Sequence, residues 1–214
     1  MLKKSLKDMS ILLLPLAGFV TLIGLLMRGP LVLPSANVNS FVQSATAANF
    51  GLTWTILFLG SFLSIYGVLV LYNVIKSREG KWSLIALIFS IAGLLIFLPT
   101  TGIITFVGPY AASLYLQGQT VAMQVLTSAL DSPLNLGFLI ISGIIYTIGT
   151  VLFAVSIRKT NNISTIAGIL FALHGPLVTF GAATIYAAEL TGGILLFVSG
   201  LWIAFNVLTQ WNRF

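Results

Sequence analysis

The sequence predicts an all-α polytopic membrane protein: six transmembrane helices in a single bundle, with short amphipathic segments on its outer face. Three observations lead there. Of 214 residues, 58% are hydrophobic and 7% charged, where soluble domains carry roughly 25% charged residues. Mean hydropathy is +1.08. The apolar runs are separated by short polar or charged breaks, and each is near the roughly 20 residues needed to cross about 30 Å of hydrocarbon. Such a chain has no room for a sizeable soluble domain, so residues 1–214 are expected to form one transmembrane domain.

The first span runs from about Met9 to Met27 and stops at Arg28-Gly29-Pro30. The basic start imitates a signal peptide, but the apolar run is longer than a usual h-region and lacks a small-x-small cleavage site, so an uncleaved span is expected. A linker follows to Asn49. Within it Val38, Phe41, Val42 and Ala45 share one face at helical spacing, which fits either a short helix on the membrane surface or an ordinary structured loop.

The second span covers about Phe50 to Ile75 and ends in the charged turn Lys76 to Lys81. The third begins at Trp82 and continues to about Leu116. Pro99 and Gly108-Pro109 interrupt it, and proline removes an amide donor, so this span is expected to bend. From Gln119 to Asp131 the residues Thr120, Gln124, Thr127 and Asp131 form a polar stripe, against Val121, Val125, Leu126 and Ala129. That segment is too polar to span and is expected to lie flat, capping the bundle. The fourth span runs from about Leu134 to Ile157. The fifth, Ile163 to Glu189, is kinked at Pro176, and the sixth covers about Gly192 to Leu208.

Lys3, Lys4, Lys7, Lys76, Arg78, Lys81, Arg158, Lys159 and Arg213 fall on one side of this layout, leaving Arg28 on the other. The positive-inside rule then puts both termini in the cytoplasm of a plasma-membrane protein, in agreement with an even number of spans. Trp82 and Trp211 fit interfacial anchoring inside and Trp54 near the outside, whereas Trp202 lies deeper. A faint parallel repeat relates Tyr66–Phe89 to Tyr146–Phe171, each a span, a basic turn and a span opening with Ser83-Leu-Ile-Ala86 or Ser164-Thr-Ile-Ala167.

The fifth span holds the only histidine, in His174-Gly175-Pro176. His174 lies about 11 residues into the span, roughly 17 Å deep and near the midplane. Ionisable groups at that depth point to function, although a neutral imidazole hydrogen-bonded to its neighbours is an equally open reading. Pro176 frees the carbonyl of Ala172, and Pro99 interrupts the third span at a roughly matching place. Paired Gly/Pro interruptions mark midplane sites in transporters but also shape bundles without one. Gly168, Ala172 and Gly175 let neighbouring backbones approach, which places this span inside the bundle. At the outer end, Asp131 and Glu189 could each pair with Arg28, and an exposed rim pair would contribute little.

The residue inventory excludes most chemistry. The net charge of +6 is distributed over span ends, not clustered on a wet face as nucleic-acid binding needs. A metal site needs three or four converging ligands, and one histidine, no cysteine and two acids on each face do not supply them. One histidine excludes bis-histidine haem, and no span carries a mid-depth lysine for retinal. Asp8 and Asp131 lie on opposite faces, unlike the pair of an intramembrane aspartyl protease. Phe197-Val198-Ser199-Gly200 lacks the first glycine of a rhomboid serine motif, and His174 precedes that serine. No enzymatic activity, cofactor or metal is expected.

The basic N-terminus, the span ending in Arg28-Gly29-Pro30, the Pro/Ser/Asn outer segment, the Trp54-bearing span ending in Leu71-Tyr72, the stretch Leu114-Tyr-Leu-Gln-Gly118 and the last two spans resemble uncharacterised bacterial six-span integral membrane proteins. That resemblance implies the fold and a bacterial-type membrane setting, with no activity attached.

The leading expectation is therefore a small ligand-binding or transport bundle. Its midplane cavity would be bounded by His174, Gly175 and Pro176 and by Pro99, Thr100, Thr101 and Gly102, and would take an apolar or weakly polar ligand. The alternative is a structural or regulatory membrane subunit acting through protein–protein contacts on its outer face, partnered by another membrane protein. In both readings the bilayer is the principal partner.

Overall fold

In a computed structural model, residues 9–76, 80–160 and 163–211 are described, the side chains of residues 183, 184, 210 and 211 excepted. Lys3, Lys4, Lys7, Asp8, Arg78, Glu79 and Arg213, and the side chain of Trp211, lie outside what is described. The described residues are mostly helical, with no strand among them. After a 3-10 turn, Ser10–Leu12, come α1 (Leu13–Arg28), α2 (Val38–Ala45), α3 (Phe50–Ile75) and α4 (Gly80–Gly102). A π turn, Ile103–Val107, leads into α5 (Gly108–Leu116), followed by α6 (Thr120–Leu130), α7 (Pro133–Thr160), α8 (Thr165–Thr184) and α9 (Tyr186–Trp211).

Among the described residues, six helices are long and apolar enough to cross a membrane. They are α1, α3, the continuous α4–π–α5 unit, α7, α8 and α9, packed as one closed ring. In that ring α1 packs on α3, α3 on α4, α4 on α7, α7 on α8, α8 on α9, and α9 back on α1. Seams are set by small residues. A Cβ on Gly18 would stand 2.5 Å from the backbone of Phe197 on α9, and one on Gly93 would stand 2.7 Å from the backbone of Tyr146 on α7. With no hydrophobic force between helices in lipid, such close van der Waals fit is what holds spans together.

Local signals explain the breaks. Asn37 caps α2 by accepting from the amide of Ser40 at 3.0 Å. Ser132 caps α7 by accepting from the amide of Asn135 at 3.1 Å, with Pro133 as its first residue. Gly118, at φ +87°, turns the chain between α5 and α6, a conformation side chains disfavour. Where the third span is expected to bend, the structure has a π turn, Ile103–Val107. Pro109 has no amide for the carbonyl of Thr105, and widening the preceding turn accommodates its ring without ending the helix.

Two apolar clusters fill the ring. One lies towards the end carrying Lys76, Lys81, Arg158 and Lys159, around Leu14, Leu71, Phe153, Phe171 and Ile203. The other lies at the opposite end, around Leu25, Trp54, Leu57, Ile104 and Met123. This second cluster is roofed by α2, α5 and α6, so Phe41, Val42 and Ala45 dock on protein and do not lie on the membrane surface.

The register of α6 also differs from expectation. It buries Met123, Leu126 and Leu130, while Val121 and Val125, grouped with Leu126 on one apolar face in the sequence, are each 64% exposed. Trp54 is buried beneath the cap and is no interfacial anchor, whereas Trp82 and Trp202 face outward.

The fifth span ends earlier than the apolar run suggests. Helix α8 stops at Thr184, Ile185 adopts an extended conformation (φ −140°, ψ 111°), and α9 starts at Tyr186. Glu189 therefore belongs to the first turn of the sixth span.

Candidate functional site

His174 and Gly175 face the α7–α8 seam, and Pro176 follows them on α8. The His174 side chain is fully buried, with its ring 4.7 Å from that of Phe171 and edge-on to Tyr146 at 5.6 Å. Its Nδ1 contacts the carbonyl oxygen of Phe171, one turn back on α8, and its Nε2 lies 2.9 Å from the Tyr146 hydroxyl on α7. A carbonyl can only accept, so Nδ1 carries the proton; Nε2 then accepts, and the Tyr146 hydroxyl donates. Both ring nitrogens are engaged in the neutral state.

The next two residues extend the same seam. A Cβ on Gly175 would collide with the Thr150 side chain, so glycine lets α7 and α8 close there. The Ala172 carbonyl, which Pro176 leaves without its helical donor, faces the Thr150 hydroxyl at 3.4 Å; that hydroxyl also donates to Thr147 at 2.9 Å, sharing one hydrogen. Thr179 on α8 donates to the Gly175 carbonyl at 2.8 Å. The triplet looks like a break in the sequence and works in the fold as a fastening between two spans.

The Pro99–Gly102 stretch lies elsewhere. Helix α7 stands between α4 and α8 in the ring, and among the described residues no hydrogen bond joins this stretch to His174–Pro176. Thr100 donates to the Asn135 side chain at 2.7 Å, and Asn135 in turn donates to the Leu130 carbonyl at 2.7 Å, which ties the end of α6 to α4 and α7. The Thr101 carbonyl accepts from Thr105 at 2.7 Å, while the Thr101 hydroxyl is buried without a partner. Beside it Gly102 is loosely packed: a Cβ there would meet nothing nearer than the Phe58 ring at 4.0 Å.

At the capped end Arg28, in the last turn of α1, meets Glu189, in the first turn of α9. Nη1 donates to Oε1 at 3.0 Å and Nη2 to Oε2, a bidentate pair whose side chains are only 8% and 5% exposed. Nε donates to the Gly29 carbonyl at 3.1 Å, and the guanidinium stands 5.9 Å from the Trp54 ring centre. Each charge also sits at the helix end whose dipole favours it. Tyr186 adds a second tie, donating to the Leu25 carbonyl at 2.9 Å. Asp131 ends α6 and forms no ion pair among the described residues.

This pair is not an exposed rim contact, because both side chains are almost fully buried. Breaking one partner of such a buried pair costs about 3–5 kcal/mol.

Tyr146, Trp54, Tyr186 and Asn135 do not stand out as site residues in the sequence. The signal that points to them is chemical: a hydroxyl or amide inside a span needs a partner. Among the described residues no three His, Cys, Asp or Glu side chains converge as a metal site would require. A shallow apolar groove of about 390 Å³ runs between α1 and α9, lined by Met9, Leu12, Phe19, Phe197 and Leu201 among others, away from both polar sites. No family model, curated protein or solved structure matches the chain.

Proposed function

We propose that this integral membrane protein is a non-enzymatic structural or regulatory subunit of a bacterial-type plasma membrane, acting through contacts at its capped end. The observation that carries the reading is the complete engagement of His174. Its ring donates to Phe171, accepts from Tyr146, and is fully buried, which leaves the imidazole no hydrogen-bonding capacity for a ligand. The basic span ends support an orientation with both termini cytoplasmic and the cap outside, and the resemblance to bacterial six-span proteins supports the setting.

Stability measurements on the purified protein in detergent test this reading. If His174 is a packing residue, His174→Ala lowers the thermal midpoint. A functional polar residue is held at the expense of stability, and its removal leaves the midpoint unchanged or raises it. That second result would return His174 to a ligand-binding role.

A second reading keeps a ligand-binding or transport site but centres it on Thr101. The buried, unpartnered hydroxyl beside loosely packed Gly102, next to a π turn, favours it. There Thr101→Val would raise stability while removing the polar contact an apolar or weakly polar ligand would use.

A further inference from the structure

Helices α5 and α6 form a hairpin at the capped end, closed by the Gly118 turn, and the hairpin exposes what a water-facing surface avoids. Tyr110 and Leu116 on α5 are each 66% exposed, and Val121 and Val125 on α6 are each 64% exposed. Val121 and Val125 are one helical turn apart, so they form a ridge on the face opposite buried Met123, Leu126 and Leu130. Their exposed neighbours on α6 are Thr120, Gln124, Ser128 and Ala129.

Charge is missing as well. From Trp82 to Leu130 the sequence contains no Asp, Glu, Lys, Arg or His, whereas a water-facing surface carries roughly 25–35% charged residues. At the cap, Arg28 and Glu189 neutralise each other below the surface.

The hairpin is also tethered to an apolar span on both sides. Helix α5 continues α4 through the π turn, and α6 passes into α7 through Asp131 and Ser132 alone. The unit Gly80–Leu116 has 37 residues, more than the roughly 20 that cross the hydrocarbon, so its last part lies at or beyond the membrane boundary.

We infer that the α5–α6 hairpin is embedded in the lipid leaflet at the capped end, with Tyr110, Leu116, Val121 and Val125 in the interfacial layer. The occupant of this face is phospholipid. An uncharged, Ser/Thr/Gln-bearing amphipathic helix binds a bilayer by apolar burial alone, so its insertion does not depend on anionic headgroups. Tyrosine at this level fits the aromatic belt of membrane proteins.

The sequence contains no cysteine, which makes single-cysteine labelling direct. Val121→Cys, Val125→Cys and, on the polar face of α2, Gln43→Cys carry a nitrobenzoxadiazole fluorophore in the full-length protein reconstituted into vesicles. One set is pure phosphatidylcholine and the other contains phosphatidylglycerol. All three sites are exposed, so the fold tolerates the label.

The expected result is roughly tenfold slower dithionite reduction at 121 and 125 than at 43, with quenching by lipids brominated near the headgroup, equally in both vesicle types. Reduction as fast as at 43 overturns the inference and marks the ridge as a water-facing surface awaiting a protein. Protection from dithionite without bromolipid quenching also overturns it, because a second copy of the chain then covers the ridge. Burial only with phosphatidylglycerol overturns the charge-independent mechanism.

Discussion

The Tyr146 hydroxyl lies 2.9 Å from Nε2 of His174, and joins α7 to α8 in the middle of the bundle. Phe171 fixes the tautomer from the other side of the ring, so this hydrogen bond has a defined direction. Tyr146→Phe keeps the aromatic packing but leaves a buried acceptor unsatisfied, and should lower stability by about 1–2 kcal/mol. His174→Ala also opens a cavity and should cost about 2–4 kcal/mol. The double variant should lose less than the sum of the two, by about 1 kcal/mol. Unfolding of the four proteins in one detergent gives that coupling directly; strict additivity would show that the two groups do not interact.

Arg28 and Glu189 make a second prediction of opposite character. Glu189→Gln leaves a buried guanidinium without its counter-charge and should cost about 3–5 kcal/mol, while Arg28→Met combined with Glu189→Leu should recover most of that loss. Because the pair is covered, its contribution should change little with ionic strength. If Glu189→Gln is tolerated within about 1 kcal/mol, roughly the contribution of an exposed pair, the cap does not exclude water.

How much of this is legible in the sequence follows from what each feature depends on. Span number comes from apolar run length, a one-dimensional property. Arg28 is recognisable as the one basic residue that the span layout places on the side opposite the other nine, and its choice of Glu189 over Asp131 is not. That choice depends on the ring closing α9 against α1. The break at Ile185 leaves no trace, because a β-branched apolar residue in an apolar run carries no turn signal. The apolar pattern of α6 groups Val121 and Val125 with Leu126 on one face, and the fold instead buries Leu126 together with the larger Met123 and with Leu130. The role of His174 is undecidable without Tyr146, whose position opposite it depends on the α7–α8 seam.

Glycines separate packing from helix propensity. Gly18 touches the backbone of Phe197, and Gly137, in the first turns of α7, has nothing within 4 Å of where a Cβ would be. Gly18→Ala should therefore force α1 and α9 apart and destabilise by about 1–3 kcal/mol. Gly137→Ala should stabilise by about 0.5–1 kcal/mol through lower backbone entropy in the unfolded chain. Thermal midpoints moving in opposite directions are the expected outcome. A matching change at both sites would mean that the α1–α9 seam has room to spare.

Orientation is the prediction with most consequence for function, because a cap can meet an extracellular partner only if it lies outside. Lys81 and Arg158 are exposed at one end of the bundle and Gln43 at the other. Inserted with basic ends inward, Gln43→Cys should react with a membrane-impermeant maleimide in intact cells, whereas Lys81→Cys and Arg158→Cys should react only after permeabilisation. Removing two of the ten basic residues one at a time leaves the charge bias intact, so the probes do not invert what they report. Labelling of Lys81→Cys or Arg158→Cys in intact cells, with Gln43→Cys protected, would put the cap in the cytoplasm. Any protein partner of the cap would then have to be sought there.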